Sequence, residues 1–166
     1  ESLGHPALRK EIAKIYESIQ PEEILVHSGA EEAIFLFMLA ALKENDHVIV
    51  HAPHYQSLSE VARGMGCMVS PWRAREENNW SLDLDELRHL MRSTTKAIIL
   101  NTPHNPTGYL MSKSDFEAVN KFARENNLLL FCDEVYRESE YDPSLRLPAG
   151  ADLGDHAVSL GVTSKT

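Results

Sequence analysis

The stretch KAIILNTPHNPTGYLMSKSDFEAVNKFARENNLLLFCDE, residues 96–134, reads as strand, turn, helix and strand in that order. Its outer segments, AIIL and LLLFC, are apolar at every position, and SKSDFEAVNKFAREN between them has the length and polarity of a surface helix. A strand that is apolar throughout is buried on both faces, and two such strands joined by a helix make a parallel βαβ unit. The alternation continues on either side. Upstream lie strand HVIVHAP (47–53), helix YQSLSEVARGMG (55–66), strand CMVSPW (67–72) and helix LDELRHLMRS (84–93); downstream lies strand HAVSLGV (156–162). Nearer the start, EILVHSG (23–29) predicts a short strand running into Gly29, and AIFLFMLAAL (33–42) a buried helix closed by KENDH. HPALRKEIAKIYESIQ (5–20) carries apolar residues at 8, 12, 15 and 19, the spacing of an amphipathic helix, with Pro6 near its start. The fold class is α/β, a three-layer arrangement of a mostly parallel sheet with helices on both faces.

The bulk numbers fit a single unit of this kind. A chain of 166 residues is long enough for one real core, and 43% hydrophobic with 25% charged residues excludes disordered and low-complexity classes. The net charge of −9, from 25 acidic against 16 basic residues, argues against nucleic acid or an anionic membrane as a partner, while a local site can still hold a small anion. The longest apolar run is about half of the ~20 residues a bilayer span needs. No basic leader opens the chain. Cys67 and Cys132 each lie in an apolar run outside any metal-binding spacing, which predicts buried free thiols in a reducing compartment, the cytoplasm. The segment RESEYDPSLRLPAGADLGD (137–155) reads as a long polar surface excursion.

In an open parallel sheet, ligands collect at the carboxyl ends of the strands. Those ends carry HSGAEE, HAPHY, NTPHNPTG, CDEVY and GVTSK, so one rim gathers Ser28, Tyr55, Asn105, Asp133, Tyr136, Ser164 and Lys165. Each has two readings. The N–H groups of Ala30 and Glu31, where a strand turns through Gly29 into a helix, form a phosphate seat, yet Ser28 and Glu31 equally fit an S-x-x-E capping box. Asn105, fixed between His104 and Pro106, is either a ligand donor or an ordinary turn initiator. Asp133 follows five apolar residues, so its carboxylate needs a partner, either a cationic ring nitrogen or an arginine. Lys165 is either a Schiff-base amine or a solvated surface lysine.

Taken in order, SGAEEA, P-H-Y, N-P-T-G, D-E-V-Y and S-K resemble the large domain of the class I/II aminotransferases, which are fold type I pyridoxal-phosphate (PLP) enzymes. The spacing agrees: 28 residues separate Asn105 from Asp133, and 32 separate Asp133 from Lys165. The resemblance covers essentially the whole chain and implies a role for each residue. Lys165 holds the cofactor covalently and moves the substrate's α-proton. Asp133 binds the pyridine nitrogen and keeps it protonated. Asn105 and Tyr136 hydrogen-bond the phenolic oxygen. Tyr55 stacks on the ring, and Ala30, Glu31 and Ser164 hold the phosphate. Two departures stand out. Val162 occupies a position, three before the lysine, where many relatives have a serine or threonine. The sequence also stops at Thr166, where family members continue with a glycine-rich stretch, a phosphate-clamping arginine and a small C-terminal domain.

The resemblance therefore implies that residues 1–166 are part of the large PLP-binding domain of an enzyme of amino acid metabolism. Such an enzyme moves an amino group from an α-amino acid to a 2-oxo acid, as a cytoplasmic homodimer, and this chain alone has little or no turnover. The same scaffold also serves carbon–sulfur β-lyases and the effector domains of some transcription regulators.

Overall fold

Five parallel strands form the sheet: β1 (His47–Ala52), β2 (Met68–Arg73), β3 (Thr95–Asn101), β4 (Leu129–Asp133) and β5 (Ala157–Leu160), in the spatial order β2-β1-β3-β4-β5. The computed structural model describes residues 2–165. The helices are α1 (Pro6–Ala13), α2 (Ala30–Ala41), α3 (Ser57–Gly64), α4 (Leu84–Leu90) and α5 (Lys113–Glu125). The α/β class and the two-faced sheet are as predicted.

Alternate residues of each strand enter opposite cores. Ile49, Ile98, Leu100, Leu130 and Cys132 meet Phe116, Val119 and Ala123 of α5 and Leu87 of α4 on one face. Val48, Val50, Ile99 and Phe131 meet Ile34 and Met38 of α2 and Leu58 and Ala62 of α3 on the other. Trp72 is fully buried in the first core, and its indole N–H donates to the Asp83 carbonyl at 2.8 Å. Both cysteines are free and buried.

Four elements differ from expectation. The strand expected over 23–29 is absent: Pro21–Glu23 form a single 3-10 turn, in which the Glu23 carboxylate takes the Gln20 N–H at 2.8 Å. Val26 then donates to the Leu3 carbonyl rather than to the sheet. Local turn chemistry around Pro21 outweighs an apolar run too short to compete for a sheet edge. α1 ends at Ala13 because the next turn tightens to i−3 hydrogen bonds and the Asp152 carboxylate then captures the N–H groups of Glu17 and Ser18. The Ser28/Glu31 capping box does not form either. Gly29 is the N-cap, at a φ of 136° that favours glycine, and the Ser28 N–H is taken by Glu32 at 2.6 Å.

The fourth difference concerns α2, which is half-buried. Only Ile34 and Met38 are buried, while Phe35 and Leu39 are 49% and 55% exposed. A helix that is apolar all round can give only one side to a sheet, and in this chain the opposite side faces outward. The 137–155 excursion, by contrast, folds back. Gly150 donates its N–H to the buried Glu134 carboxylate at 2.5 Å, and Ala151 donates to Ser159 of β5 at 2.9 Å.

Candidate active site

Asp133 is the last residue of β4, 5% exposed. Among the described residues no lysine or arginine pairs with it; its nearest donor is the Val135 N–H at 3.3 Å. Burial pushes its carboxyl up to about 6, the Val135 hydrogen bond opposes this, and the negative charge of Glu31 adds to it. A buried carboxylate without a cation is an expensive arrangement for stability alone. The arginine salt bridge that the sequence left open is absent among these residues.

Asn105 is held through Asn101, a residue the sequence reading passed over. Asn101 ends β3 with its side chain buried: its amide donates to the Asp133 carbonyl at 2.9 Å, and its Oδ1 accepts the Asn105 N–H at 2.8 Å. One side chain thus fixes the distance between the two loops. Its only signal in the sequence is a polar amide closing an apolar strand, which many turns share.

On the β1 side, Tyr55 is 56% exposed, and its phenol is raised above its ordinary value, first through a hydrogen bond to Glu31 and then through that residue's charge. Glu31 lies in the first turn of α2, whose N-terminal N–H groups at Ala30 and Glu31 have no acceptor among the described residues. On the β5 side, Ser164 and Lys165 are exposed, and the Lys165 ammonium stands 5.9 Å from the ring centroid of the half-buried Tyr136, within cation–π range. Ala30, Glu31, Tyr55, Asn105, Asp133, Tyr136, Ser164 and Lys165 all line one open cleft of about 1880 Å³. The cleft also runs along an apolar wall that includes Leu8, Ile12, Leu36, Leu39 and Val158, so the polar rim is one end of a much larger concavity.

Over residues 1–166 the chain matches the family described as Aminotransferase class I and II. The chain belongs to this family. It is 32% identical to an aspartate aminotransferase of Sulfurisphaera tokodaii, with 99% of the chain aligned, and 30% identical to an arginine–pyruvate transaminase of Pseudomonas aeruginosa, with 98% aligned. A crystal structure of a PLP-dependent aminotransferase from Streptococcus suis superposes with a TM-score of 0.92 at 36% identity over 98% of the chain. The class I and II chain described here spans 43% of the length of each of these proteins.

The donor set fits a phosphate-bearing pyridine. A buried carboxylate lacking a cation suits a protonated ring nitrogen. Free N–H groups at the positive end of a helix suit a phosphate. A primary amine reaches the same cleft from β5. Among the described residues no helix is long and apolar enough to cross a membrane.

Proposed function

We propose that this chain is part of the large, cofactor-bearing domain of a PLP-dependent aminotransferase that acts on an α-amino acid and a 2-oxo acid. The observation that carries the reading is Asp133, a carboxylate buried at a strand end without a cationic partner among the described residues, in a cleft shared with a lysine and a helix N-terminus. When bound, PLP supplies an electron sink beside the amino acid's α-carbon. Asp133 would hold the proton on the ring nitrogen, Asn105 and Tyr136 would donate to the phenolic oxygen, and Tyr55 would pack against the ring. The Ala30 and Glu31 N–H groups, with the Ser164 hydroxyl, would bind the phosphate. The Lys165 amine would supply the attachment point and the group that moves the α-proton.

The two relatives differ in substrate by their names, so the proposal stops at the substrate class. A homodimer in a reducing cytoplasm completes the proposal; the free, buried thiols of Cys67 and Cys132 support the reducing compartment alone.

The test is direct. The chain is incubated with PLP and reduced with borohydride, and the attachment point is located by peptide mass spectrometry. Attachment at Lys165 that disappears in Lys165→Ala and weakens in Asp133→Asn is expected. Scattered labelling of surface lysines, unchanged in both variants, would sink the assignment.

A further inference from the structure

We propose that His104 is a positioning residue that cross-ties the turn carrying Tyr55 to the turn carrying Asn105, with His51 as the platform that holds its ring flat. This rests on the reading of Tyr55 and Asn105 as cofactor-facing residues. The side chain of His104 is buried, and both of its nitrogens are used. Nε2 lies 2.7 Å from the Pro53 carbonyl, across 51 positions of sequence, and Nδ1 lies 2.6 Å from the Thr107 hydroxyl. A carbonyl only accepts, so Nε2 carries the proton, Nδ1 accepts, and the Thr107 hydroxyl donates to it. The Thr107 oxygen accepts the Tyr109 N–H at 3.2 Å, and the His104 backbone exchanges hydrogen bonds with Tyr109 and Gly108 at 2.9 and 2.8 Å. The neutral Nε2–H tautomer is thereby specified by its surroundings.

The tie joins the two sides of the rim. Pro53 stands two residues before Tyr55, and the His54 ring meets the Tyr55 carbonyl at 3.1 Å. His104 adjoins Asn105, whose N–H is anchored through Asn101 to the carbonyl of Asp133. A chain of hydrogen bonds therefore runs from the Tyr55 turn through His104 and Asn101 to the end of β4.

His51 pays for the arrangement. It is 1% exposed, no hydrogen bond of ordinary length reaches either ring nitrogen among the described residues, and its ring lies 3.7 Å from that of His104 at 13°, a parallel stack. Burial pulls its conjugate acid down to about 3, with the neighbouring His104 and His54 adding to the effect and the Asn101 backbone opposing it. The same burial lowers His104. Both rings stay neutral at physiological pH, so the stack persists. A buried imidazole with no hydrogen bond of ordinary length contributes little to a core that a leucine would not supply; as a flat, uncharged surface beneath His104 it has a use.

The experiment uses His104→Phe, which keeps the stacked ring and loses both side-chain hydrogen bonds, His104→Gln, which keeps a donor near Nε2, and Thr107→Val. Hydrogen exchange without cofactor is the first readout. His104→Phe is expected to speed exchange about tenfold in peptides covering 53–57 and 104–109 while α5 and β3 stay protected; His104→Gln restores the 53–57 turn, and Thr107→Val loosens only 104–109. PLP titration followed by circular dichroism of the bound ring is the second, with an about tenfold weaker Kd and an altered ring signal expected in His104→Phe only. Unchanged exchange over 53–57, or loosening spread evenly through the sheet, overturns the cross-tie. If the unsubstituted chain takes up no PLP, the cofactor reading fails, while the exchange pattern still decides the tie.

Discussion

Replacing Asp133 with asparagine is expected to stabilise the cofactor-free chain at neutral and higher pH, the reverse of what most changes to a buried polar residue do. The folded chain holds this carboxyl at about 6 against an ordinary 3.8, chiefly through burial. That gap corresponds to about 3 kcal/mol. Because the folded value lies above the unfolded one, the associated stability is fully present below about pH 4 and is lost as pH rises through about 6. Asparagine retains an acceptor for the Val135 N–H, 3.3 Å away, and carries no charge. An amide in a site shaped for a carboxyl gives back part of the gain, which leaves about 1–2 kcal/mol at about pH 8 and close to none at about pH 4. Urea denaturation of both proteins without cofactor at the two pH values measures the difference. Glu134, pushed up to about 7 first by burial, tilts both curves alike and cancels. Saturating PLP should then stabilise the unsubstituted chain and leave the asparagine variant nearly unmoved. An asparagine variant less stable by the same amount at both pH values would refute the electrostatic account of this site.

Three further outcomes follow from the same geometry. In Gly150→Ala the new Cβ would stand 2.7 Å from Cys132 Sγ and 2.8 Å from its Cβ, so calorimetry should show a loss of about 1–3 kcal/mol, partly recovered by adding Cys132→Ala. Glu31→Gln removes the hydrogen bond that raises the Tyr55 phenol and the charge that raises Asp133, so NMR titration should find both groups lowered and PLP bound more tightly; unmoved titrations would place Glu31 elsewhere. Phe35→Lys with Leu39→Lys, two exposed positions of α2, should cut binding of a hydrophobic dye while shifting stability by no more than about 0.5 kcal/mol.

The sheet was legible because its interior strands leave a simple trace. Segments such as VIV, AIIL and LLLFC are buried from both sides, and helices separate them at regular intervals. EILV carries the same trace and is not a strand, since strand identity is settled by a partner and Pro21 had already committed the chain to a turn. The rim was legible for the same topological reason, because residues at the carboxyl ends of parallel strands share one edge whatever lies between them. Asn101, His104 and Glu134 were not singled out. Each acquires its meaning from a group remote in sequence: the Asp133 carbonyl for Asn101, the Pro53 carbonyl for His104 and the Gly150 N–H for Glu134. The burial of α2 was overestimated because composition reports how apolar a helix is, whereas the number of faces covered depends on what packs against it.

The electrostatics of the rim tie its chemistry to its stability. An acidic chain places a buried carboxyl at the end of β4 and another acid, Glu31, across the cleft from it, while Lys165 and Arg137, which line the same cleft, form no ion pair with Asp133 among the described residues. Left empty, such a site weakens the fold progressively from about pH 4 to about 6 and leaves it weaker above, because Asp133 must ionise where burial limits its solvation. A ligand with a protonated ring at one end and a phosphate at the other meets both deficits at once. The cation would take the place of water beside Asp133, and the anion would satisfy N–H groups that no described residue accepts from. The pH dependence of stability, measured with and without cofactor, therefore tests this reading of the site: the fall that Asp133 adds between about pH 4 and 6, on top of the contribution of Glu134, is expected without cofactor and absent with it.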